Sequence, residues 1–463
     1  MIKLRAFFGL FILALVVLAS CRKPTIVSDD PSFKLNFSED TVFFDTVFTT
    51  VGSTTQRFKI FNPNKQAVRI SKINLGGGST SPFRLNVDGL SGKLIKDLEI
   101  AGEDSAFVFT EVTIDPTPGS MPFVVSDSIQ FETNGNLQQV QLVSWGQNAN
   151  FLRDSILPCN TTWTSELPYV IYNSVLVNSG CRLNIEKGAR IYNHKGSSIF
   201  VLGTISAQGT RNDSIIFQTD RLEKYLDDEP GQWNGIHFLR GSLNNFMNYT
   251  VVKNALIGLR VDSLPVDGSA NFNLQIYNST IKHHQIAGIL GITGRIRGFN
   301  NLIYNCGQFA IAGLLGGAYD FRHNTIGNFN FLFNRKDPSL VLTDNFDTGT
   351  ELLVSDLTGI FVNNIIWGSL KNEISINNDG GTTPILAFDY NIIRTEDSLF
   401  NNTTNFINED PLFINAFEEN YHLDSLSPAR EKGVDITVQS SFLVRDKDQV
   451  VRKDPPSIGC FEN

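Results

Sequence analysis

The spacing of apolar residues changes character part-way along the chain. From Phe33 to about Gly146 it has period two. Phe58 and Ile60 alternate with Arg57 and Lys59, Val68 and Ile70 with Arg69, Phe107 and Phe109 with Val108, and Ile129 and Phe131 with Gln130. Alternation of this kind marks half-buried strands. The intervening stretches "NPNKQ", "GGGSTSP" and "DPTPGSMP" carry turn chemistry. A series of about seven short strands so punctuated predicts a β-sandwich over residues 33–148.

Beyond about Phe151 apolar triplets recur without two-residue hairpin signals between them. Leu183-Asn184-Ile185, Ile199-Phe200-Val201 and Ile215-Ile216-Phe217 stand at a constant 16-residue interval. β-Branched residues and frequent glycines argue against helix. A fixed period with no hairpins predicts a right-handed parallel β-helix over residues 149–463, each coil stacking its strands on those of the next. The 16-residue step is expected to be such a repeat, with later coils longer. A second feature supports the stack. Asn precedes an apolar pair or Thr-Ile in "NNLI", "HNTI", "NNII" and "YNII", with looser copies in "NSTI" and "YTVV". These align Val252, Ile281, Ile303, Ile326, Ile366 and Ile393 as equivalent inward positions. Asn301, Asn324, Asn364 and Asn391 then form a row whose side chains hydrogen-bond along the axis. The long interval between Ile326 and Ile366 contains "NRKDPSLVLTDNFDTGTELLVSDLTG", which is expected to loop out as a binding face.

The first residues alter the picture of where the chain resides. "MIKLRAFFGLFILALVVLASC" has a basic start and an apolar run too short for a comfortable span. Leu18-Ala19-Ser20-Cys21 resembles the lipobox of bacterial lipoproteins. That resemblance implies a signal peptide over residues 1–20, a diacylglyceryl Cys21, a tether over residues 21–32 and attachment to the bacterial outer membrane, facing the exterior. The alternative is an ordinary signal peptide with an incidental cysteine. A formal charge of −9 without a basic cluster argues against a nucleic-acid partner. Of the five cysteines, Cys159 and Cys181 are a candidate disulfide in an exported chain; a reduced buried pair is the other reading.

Two stretches resemble known families. "QRFKIFNPNKQAVRISKINLGG" is similar to the immunoglobulin-like domains of the ASPM and Hydin group, which implies an immunoglobulin-like sandwich without catalytic residues. Asp410-Pro411-Leu412-Phe413, Tyr421-His422-Leu423, Ser427-Pro428-Ala429 and Ile458-Gly459-Cys460-Phe461-Glu462 resemble the closing segment of β-helix surface proteins of the choice-of-anchor Q type. This segment is expected to cap the stack, with Cys460 a buried structural thiol.

Pectin-type hydrolases of the β-helix fold carry carboxylate signatures as acid and base. Here Ile326 stands where their Asp would fall in "HNTI", Arg295-Ile296-Arg297 matches another signature only partly, and Gly-His-Gly is missing. Asp227-Asp228-Glu229 reads as a solvated turn, and Asp344, Asp347 and Glu351 lack EF-hand spacing. His283 and His284 are adjacent and face opposite ways in a strand, with separate surface or turn roles. No catalytic residue, metal site or cofactor is assigned. Binding is the favoured class: Trp233, His237 and Arg240 are the candidate ligand-binding residues, with a polysaccharide the candidate partner, although packing at a coil entry is the preferred reading of Trp233. The runner-up is a polysaccharide lyase or glycoside hydrolase. Asp-Ser or Asp-Thr before an apolar residue recurs and resembles a bacterial O-glycosylation acceptor. It marks Ser263 and Ser398 as candidate acceptors in polar loops.

Overall fold

The computed structural model describes residues 26–263, 271–329 and 331–462; the leader and Cys21 lie outside the described residues. The chain is all-β and divides into two units, residues up to 148 and residues from 149.

Among the described residues the first unit has two five-stranded sheets. One contains Gln56–Phe61, Ser105–Val112 and Phe83–Val87; the other contains Thr41–Phe48, Asn136–Gln147, Phe123–Thr133, Val68–Leu75 and Leu94–Ile100. Alternate residues of both sheets, among them Phe58, Ile60, Val108, Ile70, Phe131 and Leu142, meet in one core. The period-two pattern is therefore the pattern of a two-layer packing, with one phase corrected: in Ser105–Val112, Val108 faces the core and Phe107 and Phe109 face outward.

The second unit is β-helix-like, with three parallel ladders. Each turn of the chain supplies one strand to each ladder in the same order. Arg182–Glu186, Arg190–Asn193 and Ser198–Val201 form one such turn. In the first ladder Leu183 lies beside Ile205 and Ile185 beside Ala207. The 16-residue interval is thereby corrected. Leu183, Ile199 and Ile215 belong to three different ladders: Ile199 pairs with Ile236 and Ile215 with Thr250. Two equal intervals, each passing over one intervening strand, mimicked a repeat.

The asparagine register is correct residue by residue. Val252 pairs with Ile281, Ile281 with Ile303, Ile303 with Ile326, Ile326 with Ile366 and Ile366 with Ile393. The side chains of Asn301, Asn324, Asn364, Asn391 and Asn405 form a buried chain. Each Nδ2 donates to the next Oδ1 at 3.0, 2.9, 3.0 and 3.2 Å. The same oxygens accept the backbone N–H of the coil before, as Asn324 does from Asn301 at 2.9 Å. The residue before each ladder position turns left-handed, at Asn278, Asn300, His323, Asn363 and Tyr390. Asparagine and histidine tolerate that corner where a β-branched residue does not.

The long segment after Asn328 does not loop out whole. Leu340–Thr343 returns to the stack; residues 331–339 before it lie outside the ladders, and Asn345–Asp347 and Leu352–Val354 leave the stack as a small antiparallel hairpin. Cys159 and Cys181 are disulfide-bonded across 22 residues, joining the turns before Thr161–Trp163 and Arg182–Glu186, which pair in the first ladder.

The C-terminal segment lies along the flank of the coils, so its expected role as an end cap is corrected to a strap. Tyr421 Oη donates to Gly327 O at 3.1 Å, Cys460 N to Thr325 Oγ1 at 3.1 Å and Gly459 N to Asn363 O at 2.8 Å. Farther along, Asn300 Nδ2 donates to Phe442 O and Arg445 O, and Lys447 Nζ to Asn278 O. Gly327 permits the approach: a Cβ there would come within 2.3 Å of the Tyr421 ring. The buried Arg452–Glu462 pair lies within the strap, with Arg452 also donating to Asn300 Oδ1 of the coils at 2.8 Å.

Candidate functional site

Two places in the second unit bring polar side chains together from distant parts of the chain. The first begins with a conflict. Lys253 and Lys282 are register partners in adjacent coils, so two ammonium stems run alongside one another. Adjacent strands lie only about 4.8 Å apart, and like charges there repel. The turn carrying Asp227 and Asp228 resolves the conflict from one side and Glu419 of the strap from the other. Asp227 pairs with Lys253. Glu419 Oε2 accepts from Lys282 at 2.5 Å and from the Tyr304 hydroxyl at 2.7 Å, and Glu419 Oε1 lies 2.6 Å from His283 Nε2. His283 Nδ1 lies 3.0 Å from Asp228 Oδ1, without the alignment of a hydrogen bond.

Asp228, His283 and Glu419 have the residue types of a metal site, with ligand atoms within 4.8 Å of one another. The donor set fits ammonium better than a metal ion: Lys282 already sits on Glu419 and lies 3.9 Å from Asp228. Acid–base work is also disfavoured. Burial pulls the Glu419 carboxyl upward, but the hydrogen bonds and charge of His283 and Lys282 outweigh it and hold the group at about 2. Burial and the adjacent Glu419 charge push the Tyr304 phenol far above its ordinary value. Neither group exchanges a proton near neutrality. Asp227 and Asp228 stay in the exposed turn that the sequence suggested, and together with Glu419 they also form an ion-paired clamp on Lys253 and Lys282.

The second place is a cleft of about 480 Å³ between the strap and the coils. Arg211 and Asn212 come from the turn after Thr204–Gln208, Asn248, Tyr249 and Asn278 from the corners of two successive coils, and Phe442, Arg445 and Gln449 from the strap. Asn278 Nδ2 donates to Asn248 Oδ1 at 2.9 Å, so the amides are fixed in relation to each other. Phe442 stacks on Tyr277 with ring centres 4.4 Å apart. Arg211 Nε donates to Asp448 Oδ1 at 3.2 Å, and Asp448 Oδ2 lies 2.9 Å from His422 Nε2. The His422 hydrogen bond, with Arg211 and against burial, holds the Asp448 carboxyl at about 2. Arg445 donates through Nη1 to Gln449 O at 2.8 Å, which leaves Nε and Nη2 for a ligand. Among the residues lining the cleft there is no carboxylate and no imidazole.

The sequence-derived candidates do not converge. Trp233 is wholly buried and donates through Nε1 to Lys253 O at 2.9 Å, a packing role that removes it as a ligand contact. His237 lies half-buried on the outer face, edge-on to Phe200, with its pKa lowered by burial and by the Arg260 charge. Arg240 is exposed after that strand. Ser263 is buried, contrary to its expected accessibility, because its segment continues the coil alongside Ile292. Ser398 is exposed. Burial pushes the Cys306 and Cys460 thiols up to about 12. His283 and His284 are both buried, not at the surface: His283 faces the clamp and His284 the core. Sequence reasoning missed the cleft because its walls lie far apart in the chain, at residues 209–212, 248–249, 278 and 441–449. The one local signal was the density of asparagine at the coil corners.

No family model and no curated protein matches the chain. Solved structures align with about a quarter of it. They include an ASH/PapD-like domain of human CEP192 (12% identity, 28% of this chain, 94% of that one, TM-score 0.18). The E. coli chaperone DraB aligns at 10% identity over 24% of this chain and 54% of its own, TM-score 0.18. A protein of unknown function from Porphyromonas gingivalis W83 aligns at 8% identity over 27% of this chain and 59% of its own, TM-score 0.18. The alignments thus span most of the first domain but little more than half of the other two chains. Likeness at this level carries no argument about function.

Proposed function

We propose that the protein is a cell-envelope lipoprotein that binds glycan through the cleft between its strap and its coils. The supporting observation is the lining: amides and guanidinium groups to hydrogen-bond hydroxyls, with Phe442 as a partly exposed ring surface. The lack of a carboxylate or imidazole among the lining residues favours binding over cleavage, because glycoside hydrolysis needs a positioned acid and a base or nucleophile. In this reading the stack is a right-handed β-helix of the choice-of-anchor Q type and the first unit is immunoglobulin-like. Cys21 carries the lipid that holds the chain at the outer face of the outer membrane, and Ser398 is a candidate acceptor for O-glycan.

A screen of acidic and neutral polysaccharides, reading both binding and cleavage, tests the function. Binding without cleavage, weakened in Arg445→Ala, is expected. Release of shorter products would replace this reading with that of a β-helix lyase or hydrolase. Cys21→Ser is expected to leave the precursor uncut or release the protein to the soluble fraction; unchanged processing and membrane retention would refute the anchor.

A further inference from the structure

The first unit carries a second polar surface that the cleft does not explain. In the sheet containing Gln56–Phe61, Ser105–Val112 and Phe83–Val87, Phe58, Ile60, Val108, Phe83 and Leu85 point into the core. The alternate residues therefore face outward. Arg57 lies opposite Phe109 and Lys59 opposite Phe107. On the other flank Asn86 lies opposite Phe109 and Arg84 opposite Glu111. The Phe107 and Phe109 rings stack at 5.9 Å with an interplanar angle of 27°, and Phe107 is 38% exposed on this otherwise polar face. Beside Phe109 is a cavity of about 440 Å³ lined also by Arg84, Asn86, Ser91, Lys93 and Glu111.

The charges do not cancel. Glu111 accepts from Thr55 Oγ1 at 2.6 Å and forms no ion pair among the described residues. Lys93 Nζ donates to the carbonyls of Ser79 and Ser81, neutral acceptors that leave its charge uncompensated. Arg57 and Arg84 have no side-chain partner among the described residues. An aromatic surface is thus bordered by guanidinium and ammonium groups with one carboxylate among them.

We propose that this face binds an acidic saccharide, such as a uronic-acid oligomer, independently of the cleft in the second unit. A sugar ring packs on Phe109, its carboxylate takes the Arg84 fork, and Asn86 and Ser91 meet ring hydroxyls. The cavity volume suits about one or two sugar rings. Calorimetric titration of the full chain with tetragalacturonate tests the site, with its methyl-esterified form as the uncharged control. Binding is expected to weaken at least about tenfold in Arg84→Ala and with the esterified ligand, to fall with added salt, and to persist in the cleft variant Arg445→Ala. Arg57→Ala, on the exposed rim, provides a second variant with an expected smaller loss and an unchanged Tm. No binding overturns the proposal, as does equal affinity for the esterified ligand. Loss in Arg445→Ala with retention in Arg84→Ala assigns the ligand to the cleft and overturns this site. Equal Arg84-dependent binding of an oligoglutamate peptide overturns the saccharide assignment.

Discussion

At the scale of single residues, the interior of the stack depends on polar groups as much as apolar ones. Asn324 shows the cost of removing one. Its Oδ1 accepts from the Asn301 N–H and side chain, and its Nδ2 donates to Asn364 Oδ1 and Gly298 O. Asn324→Leu strands these groups in a site closed to water. It is expected to cost about 3–5 kcal/mol in denaturant unfolding. His284 provides a different test. Its Nδ1 accepts from Ala255 N–H at 3.2 Å and its Nε2 donates to Val252 O at 3.0 Å, which requires the neutral ring. Burial lowers its pKa from 6.5 to about 3. Below pH 6.5 the unfolded chain therefore binds a proton that the folded chain refuses. Its contribution is whole above 6.5 and is lost as pH falls toward 3, at up to about 1.4 kcal/mol per pH unit. Unfolding measured from pH 8 to 5 should show this slope, together with a share of the same sign from His323, whose pKa burial also lowers, and His284→Gln should reduce it; an identical slope in the variant would exclude His284 as a cause.

At the scale of elements, the asparagine row was readable in the sequence and the coil length was not. The row is local: each Asn sits next to the strand it introduces, so its spacing reports the register directly. The 16-residue interval failed because three ladders share one chain, and apolar triplets look alike in all three. Trp233 illustrates the same limit within a strand pattern. In Gly235–Phe238, Ile236 and Phe238 face inward and His237 outward as strand alternation dictates, but the burial of Trp233 comes from its bridge to Ala255 in the next coil. The cleft and the clamp were hidden for a further reason: strap and coils meet only after the stack exists. The clamp makes its own prediction. Glu419→Gln leaves Lys282 and His283 facing a neutral amide. It is expected to cost about 2 kcal/mol, less than a fully buried pair because Glu419 remains 27% exposed. Since Glu419 titrates at about 2 when folded and near 4.5 otherwise, its contribution is present above 4.5 and fades as pH falls toward 2. Wild type and variant should converge in stability over that window; a constant gap would show that the charge is not the cause.

At the scale of the whole molecule, each unit has its own apolar core, and the links that close them differ. The first unit is held by Phe44, Phe83, Phe131 and their neighbours in two antiparallel-rich sheets. The second is a nearest-neighbour stack in which every coil depends on the one before. Its first turns lack the asparagine row, which begins at Asn301, and the disulfide joins them. A covalent bond closing 22 residues is worth about 3 kcal/mol on the loop-entropy account. Separate cores predict two transitions in calorimetry. Reduction of Cys159–Cys181, or Cys159→Ser, should lower the transition of the second unit alone and expose the segment near Thr161–Trp163 to protease first. Cys306 and Cys460, buried with thiols raised to about 12, should not substitute for the lost bond. One transition that moves as a whole on reduction would mean that the two cores unfold as a single cooperative body.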